Sequence, residues 1–151
     1  MPESDSASAL QVRRMVPAPR DEVFRAWTDA TVLQKWWGTA GGKNTVFAEV
    51  DLRVGGKFRI ETESPDARSA SRISGTFLEV QPPQRLAYTW LGEGAMYDGL
   101  TLVIVEFFDR GESTEIVLSH EFFHSKKGRD SYFAGWESTL EGLSVFFGEA
   151  K

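Results

Sequence analysis

The segment His120-Glu121-Phe122-Phe123-His124 matches the H-E-x-x-H pattern of zinc proteases letter for letter. In those enzymes a helix brings both histidines to one face, with the glutamate beside the metal-bound water. Here Ile116, Leu118 and His120 form an alternating run, which predicts a strand instead. Residues four apart on a strand are separated by ~13 Å, whereas Zn–N bonds measure ~2.1 Å. We therefore expect no metal site in this segment.

His120 is of interest on its own, because strand alternation turns it inward with Ile116 and Leu118. We expect a partly buried imidazole that is hydrogen-bonded to a neighbour. The alternative is a general acid or base, with Tyr88 as the polar group that orients a substrate. One inward histidine and few inward acids make a small catalytic set, so we expect a protein that is not an enzyme.

Aromatic side chains occur at inward positions of several predicted strands. The chain has five Trp, three Tyr and eleven Phe, and large rings around an incompletely filled interior can line a ligand site. The alternative is a tightly packed core without a void. The predicted ligand-binding residues are Trp36, Trp37, Phe58, Ile60, Tyr88, Trp90, Val103, Val105, His120 and Trp136.

The order of elements follows from hydrophobic periodicity. A first strand from Leu10 to Val16 precedes a helix that starts near Pro19, and Asp29 caps a second short helix that Gly38 ends. The period then changes to two. Strands are predicted at 46–50, 58–62, 73–80, 86–91, 100–108 and 115–122, and an amphipathic helix is predicted at 132–147.

This order predicts an α+β domain with an antiparallel seven-stranded curved sheet and a long C-terminal helix. One helix is ~10 Å wide, whereas strands lie ~4.8 Å apart, so one helix cannot cover seven strands. The sheet must therefore wrap around the helix, and rings or a ligand must fill the remaining space. Gly135 and Gly142 share a helix face, which predicts a close approach of the helix to the sheet.

Composition limits the classes of function. The 151 residues predict a tail at 1–9 and one domain at 10–151, and the tail lacks the apolar segment of a signal peptide. The chain has no cysteine and a net charge of −5, and no apolar run is long enough for a membrane span. We expect a cytoplasmic protein without a nucleic-acid or membrane partner. The glycines of 38–43 lack the spacing of a phosphate or dinucleotide site, so no cofactor is expected.

Two turn segments have more than one interpretation. Asp51 and Arg53 precede Gly55-Gly56, and we expect structural roles: the carboxylate accepts backbone N–H bonds and the arginine pairs with an acid. Arg53 would bind a ligand carboxylate only if it pointed inward. The loop from Gly92 to Gly99 has the composition of a flexible pocket lid, although most loops of this composition have no such role.

Several motifs, taken in order, resemble one family. They are Pro19 to Trp37 with Trp36-Trp37-Gly38, then Asp51 to Phe58, Gly75-Thr76, Pro82 to Leu86 with Tyr88-Thr89-Trp90, Thr114 to His120, and Gly135-Trp136 with Leu140. Together they are similar to the activator of heat-shock-protein-90 ATPase homologue family of the START-like (SRPBCC) superfamily. The resemblance covers about residues 10 to 147 and implies a helix-grip fold.

The resemblance also implies three functions. The first is binding of a hydrophobic or aromatic small molecule between sheet and helix. The second is a cyclase or dehydratase that uses the same cavity. The third is a co-chaperone-like module that acts on heat-shock protein 90 in the stress response, although the separate N-terminal domain that co-chaperones use is not expected in one domain. We favour the first, in a monomer or a homodimer.

Overall fold

The computed structural model describes residues 8–66, 68, 70–93 and 98–149. The predicted order of one strand, two short helices, six strands and a long helix is confirmed. The elements are β1 (Ala9–Val16), α1 (Arg20–Thr28), α2 (Ala30–Trp36), a 3₁₀ turn (Thr39–Gly41), β2 (Asn44–Val50), β3 (Lys57–Glu63), β4 (Ala70–Gln81), β5 (Arg85–Gly92), β6 (Thr101–Arg110), β7 (Ser113–Glu121) and α3 (Lys126–Glu149).

The ends of the chain differ slightly from the expectation. Strand β1 begins at Ala9, one residue inside the segment predicted as a tail, and residues 1–7 of that tail lie outside the described residues. Helix α3 begins at Lys126, six residues before the predicted start, because Ser125 caps it by accepting the N–H of Gly128 over 2.9 Å.

The seven strands form one antiparallel sheet in the order β1-β7-β6-β5-β4-β3-β2. The register places Val103 opposite both Tyr88 and His120, and His120 opposite Leu10. These four buried side chains form one inward row across four strands, as the alternation predicts. The sheet therefore presents its ring-rich face to the helices.

The five tryptophans join the helices to this face. Trp37 lies within 6.3 Å, between ring centroids, of each of the other four: Trp27, Trp36, Trp90 and Trp136. Trp36 ends α2 and is fully buried. Trp37 follows it with extended backbone angles and is 8% exposed. The cluster thus has a core side at Trp36 and an outer side at Trp37.

Helix α3 lies toward one edge of the sheet. Arg14 of β1 pairs with Glu141 of α3, and the Arg129 side chain donates to the carbonyl of Ala9 over 2.9 Å. Strand β1 is an edge strand, so this position of α3 leaves the face of β3 and β4 less covered. As the predicted mismatch in width requires, one helix does not cover the whole sheet, and the less covered strands lie on the side away from β1.

The prediction that Gly135 and Gly142 bring the helix close to the sheet is wrong, because neither glycine contacts the sheet closely. A Cβ on Gly142 would lie 3.1 Å from the carbonyl oxygen of Trp36 and 3.1 Å from Oγ1 of Thr39, so the close approach is to α2 and the 3₁₀ turn. A Cβ on Gly135 would have no neighbour within 4 Å. Of these two glycines, only Gly142 is explained by packing.

None of the described helices is long and apolar enough to cross a membrane.

Candidate functional site: a cleft beside the long helix

A cleft of about 480 Å³ runs between the N-terminal half of α3 and the ends of β3 and β4. This volume is within the ~300–1,000 Å³ range of small-molecule sites. Small and hydroxyl-bearing residues make up most of its lining. The lining residues are Trp37, Gly38, Gly41, Lys43, Thr62, Ser71, Asp98, Ser125, Lys127, Gly128, Ser131, Tyr132, Gly135, Ser138 and Thr139.

A smaller chamber of about 90 Å³ continues the cleft toward the core. It shares Trp37, Ser71, Tyr132, Gly135 and Thr139 with the cleft. Ile73, Trp90 and Trp136 complete its walls. The site therefore changes from hydroxyl groups at the mouth to indole rings at the inner end.

Trp90 brings an unusual polar atom to this chamber. Its side chain is 3% exposed, and its indole N–H has no acceptor at hydrogen-bond geometry among the described residues. The Tyr132 hydroxyl lies beside it: burial raises the pKa of Tyr132, and the Trp90 N–H offsets part of that rise. The Tyr132 hydroxyl is the nearest acceptor for the Trp90 N–H, and an oxygen on a ligand would offer a second one.

Gly135 gives the cleft its open wall on the helix. It lies in the interior of α3, where glycine costs about 1 kcal/mol relative to alanine. No neighbour would obstruct a Cβ there, and the glycine lines both the cleft and the chamber. The folded protein has room for alanine at this position, so packing does not explain the glycine.

Half of the predicted ligand-binding residues lie around a third, nearly filled space. A void of about 20 Å³ is lined by Phe58, Ile60, Tyr88, Trp37 and Trp90, with Trp27, Leu33, Val50 and Phe77. This is room for about one water molecule. The other predicted residues divide between the chamber, which Trp136 lines, and the packed core, where Trp36, Val103, Val105 and His120 line none of these three spaces.

His120 is fully buried and both of its ring nitrogens are hydrogen-bonded. Nδ1 accepts the indole N–H of Trp136 over 3.0 Å, so the proton lies on Nε2, which donates to Oγ1 of Thr101 over 2.7 Å. Thr101 then donates to the carbonyl of Trp90 over 3.1 Å. Burial lowers the pKa of His120 to about 3, against a smaller opposing effect of Asp98. The described contacts fit the expected hydrogen-bonded imidazole.

The hydroxyl of Tyr88 is also buried and hydrogen-bonded within the core. Its hydroxyl accepts the indole N–H of Trp27 over 3.2 Å, and burial raises its pKa far above the ordinary value. Tyr88 and His120 both face the core, but neither lines the cleft or the chamber. The structure therefore does not bring the two residues of the enzymatic hypothesis to an accessible site.

The H-E-x-x-H segment spans the end of a strand, as predicted. Strand β7 ends at Glu121, and His124 lies beyond it as an exposed side chain. The ring of His124 packs over Gly99, and its main-chain N–H donates to Asp98 over 2.7 Å. Among the described residues, no three His, Asp or Glu side chains are placed to share a metal ion.

The two turn segments also have clear positions. Nε of Arg53 lies 2.9 Å from Oδ2 of Asp51, and both side chains are largely exposed, which agrees with the expected pairing in the turn. Residues 94–97 of the predicted lid lie outside the described residues. Asp98, which follows them, accepts from Ser125 Oγ over 2.7 Å at the start of α3.

Sequence reasoning missed most of the cleft because it searched the strands for rings. The helix carries a signal that could have revealed it: small residues recur at spacings of three and four on one face of α3, at Gly128, Ser131, Gly135, Ser138 and Thr139. Thr62 follows Phe58 and Ile60 on the inward face of β3, so strand alternation also pointed to it.

Comparisons with known proteins agree with this architecture. Crystal structures of proteins from Rhodobacter sphaeroides (TM-score 0.80, 23% identity, 97% of both chains) and Chromobacterium violaceum (TM-score 0.81, 23% identity, 93% of this chain and 97% of that one) share the fold. So does the solution structure of an AHSA1-like protein from Aeromonas hydrophila (TM-score 0.76, 22% identity, 93% and 94%).

The sequence itself gives the family. No curated protein matches the chain. The model of the family described as "Activator of Hsp90 ATPase homolog 1-like protein" matches residues 17–148, which is most of the 151 residues. The fold is the expected helix-grip fold, with the curved antiparallel sheet around α3. The chain therefore belongs to the Activator of Hsp90 ATPase homolog 1-like protein family.

Proposed function

We propose that this protein binds a hydrophobic or aromatic small molecule in the cleft beside α3, with the rings of the ligand in the inner chamber. The observation that carries the proposal is the continuity of the 480 Å³ cleft with a chamber walled by Trp37, Trp90 and Trp136. Ligand sites typically combine apolar and aromatic walls with a few polar groups that fix orientation. The predicted location of this activity is the cytoplasm.

Two further features support a ligand at this place. The indole N–H of Trp90 is a buried donor beside the chamber, and a carbonyl or ether oxygen on a ligand would give it an acceptor. Gly135 leaves the helix backbone open to the cleft, where a flat ring would pack against it. A bound molecule would give both features a role that packing within the protein does not supply.

The position of His120 favours binding over catalysis. An acid–base residue must reach the substrate within about 3.2 Å or through one water. Both nitrogens of His120 are already hydrogen-bonded within the core, to Trp136 and Thr101. The cyclase, dehydratase and co-chaperone alternatives have no comparable support among the described residues.

The test is native mass spectrometry of the protein with a panel of hydrophobic and aromatic compounds. The matched variants are Gly135→Leu, which places a side chain in the cleft, and Gly148→Leu, which adds the same side chain at an exposed position of α3 with no neighbour within 4 Å. Near-UV circular dichroism confirms that each variant keeps its packed core.

We expect the wild type and Gly148→Leu to form the same one-to-one complexes. Gly135→Leu should weaken them at least tenfold, because its side chain occupies the space of the ligand. The proposal fails if no compound binds the wild type. It fails equally if Gly135→Leu binds the same compounds as the wild type with the same affinity.

A further inference from the structure

The mouth of the cleft carries positive charge in an acidic protein. The chain has a net charge of −5, yet two of the three charged residues that line the cleft are lysines, Lys43 and Lys127. Lys127 is exposed and Lys43 is half-buried. Neither ammonium group lies within 4.0 Å of a carboxylate of the described residues.

The third charged residue, Asp98, does not neutralise this pair directly. Its two carboxylate oxygens accept from the main-chain N–H of His124 and from the hydroxyl of Ser125, over 2.7 Å each. The carboxylate therefore lies at the N-terminal end of α3, where the helix dipole makes a negative charge favourable. Within the part of the chain that the structure describes, the two lysines are the charged lining residues without an ion-pair partner.

Hydroxyl groups accompany the lysines along the same walls. Ser131 and Ser138 of α3 line the cleft together with Thr62 and Ser71 of the sheet, whose hydroxyls are hydrogen-bonded to each other, and with Thr139, which donates to the Gly135 carbonyl. Hydroxyls donate to anionic oxygens as readily as to water, and ammonium groups bind them as point charges. The mouth is thus suited to an anionic group, while the indole walls of the chamber are suited to rings.

We propose that the ligand of this cleft is an anionic amphiphile: a fused or linked ring system with a carboxylate or sulfonate at one end. Its rings lie against Trp37 and Trp90, and its charged end lies at the mouth with Lys43 and Lys127. This inference rests on the proposed function, because it names the class of molecule that the same cleft binds.

Two dyes with the same rings separate charge from ring binding. 8-Anilinonaphthalene-1-sulfonate carries a sulfonate, and N-phenyl-1-naphthylamine has the same ring pair without it. Each is titrated by fluorescence into the wild type, Lys43→Gln, Lys127→Gln, the double variant and Gly135→Leu. Lys57→Gln is the control, because Lys57 is an exposed residue of β3 beside the inward Phe58 and lines neither the cleft nor the chamber.

We expect each lysine substitution to weaken the sulfonate dye about threefold and the double variant to weaken it about tenfold, as for partly exposed ion pairs. The neutral dye should bind all lysine variants equally, and Lys57→Gln should change neither dye. Raising the salt concentration should weaken only the sulfonate dye.

The outcomes distinguish the two proposals. If Gly135→Leu abolishes the binding of the neutral dye but the lysine variants leave the sulfonate dye unchanged, the anionic ligand is overturned and the binding function stands. If neither dye responds to Gly135→Leu, or neither binds the wild type, the binding function fails and the anionic ligand fails with it.

Discussion

The indole N–H of Trp136 donates to Nδ1 of His120 over 3.0 Å, and this bond joins helix α3 to strand β7 inside the core. It also fixes the protonation state of the imidazole. A proton on Nδ1 would meet a donor instead of an acceptor, and the buried ring would carry an unpaired charge. His120 is therefore a neutral structural group, and we expect its substitution to change the free energy of unfolding.

We predict that acidification below pH 6.5 destabilises the protein through His120. Its pKa of about 3 in the folded state lies below the ordinary 6.5, so the unfolded state binds more protons between these values. The stabilisation is complete above pH 6.5 and is lost as the pH falls, by about 2 kcal/mol at pH 5. Urea denaturation at pH 7.5, 6.0 and 5.0 measures this loss.

Two variants isolate the contribution of His120. His120→Gln removes the titrating group and should flatten most of the dependence over this range. His124→Gln removes an exposed histidine and should retain it. A wild-type profile that is level from pH 7.5 to 5.0 would contradict the prediction.

Thr101 tests the same network from the other side. Thr101→Val preserves the shape of the side chain but removes both the acceptor for His120 Nε2 and the donor to the Trp90 carbonyl. A buried donor left without a partner costs about 1–3 kcal/mol, so the free energy of unfolding should fall by that amount. Thr101→Ser retains the hydroxyl and should lose less. Equal losses in the two variants would show that the hydroxyl is unimportant.

The helix glycines should respond to alanine in opposite directions. Gly135→Ala should raise the free energy of unfolding by up to about 1 kcal/mol, because its Cβ meets no neighbour. Gly142→Ala should lower it, because its Cβ would lie 3.1 Å from the main-chain oxygen of Trp36. Chemical denaturation of both variants checks the pair. A destabilised Gly135→Ala would mean that packing, not the cleft, requires this glycine.

The sequence predicted the fold well because each cue was local and periodic. Alternation identified the inward row of Tyr88, Val103 and His120, and the apolar face of the last helix identified Trp136. The site was predicted less well because it depends on how α3 lies on the sheet. The sequence contains no direct signal that α3 lies along β1, held by Arg14 and Arg129, which leaves the face of β3 and β4 open.

The predicted site residues are mostly large and apolar, whereas the largest part of the cleft is lined by small residues. Phe58, Ile60 and Tyr88 pack so closely that only about 20 Å³ remains between them and their neighbours. The larger space lies where side chains are small, at Gly135 and Ser138. A cavity forms where side chains fail to fill the volume, so glycine and serine on an inward helix face are better indicators than rings.

The most direct test of a ligand in the cleft is to follow the indole N–H signals of the five tryptophans by ¹H–¹⁵N NMR during titration with N-phenyl-1-naphthylamine. We predict that the signals of Trp37, Trp90 and Trp136 shift, because these rings wall the chamber. Those of Trp27 and Trp36 should shift less, since neither ring lines the cleft or the chamber. A saturating ligand that shifts Trp27 and Trp36 while the three chamber tryptophans stay unchanged would contradict the account.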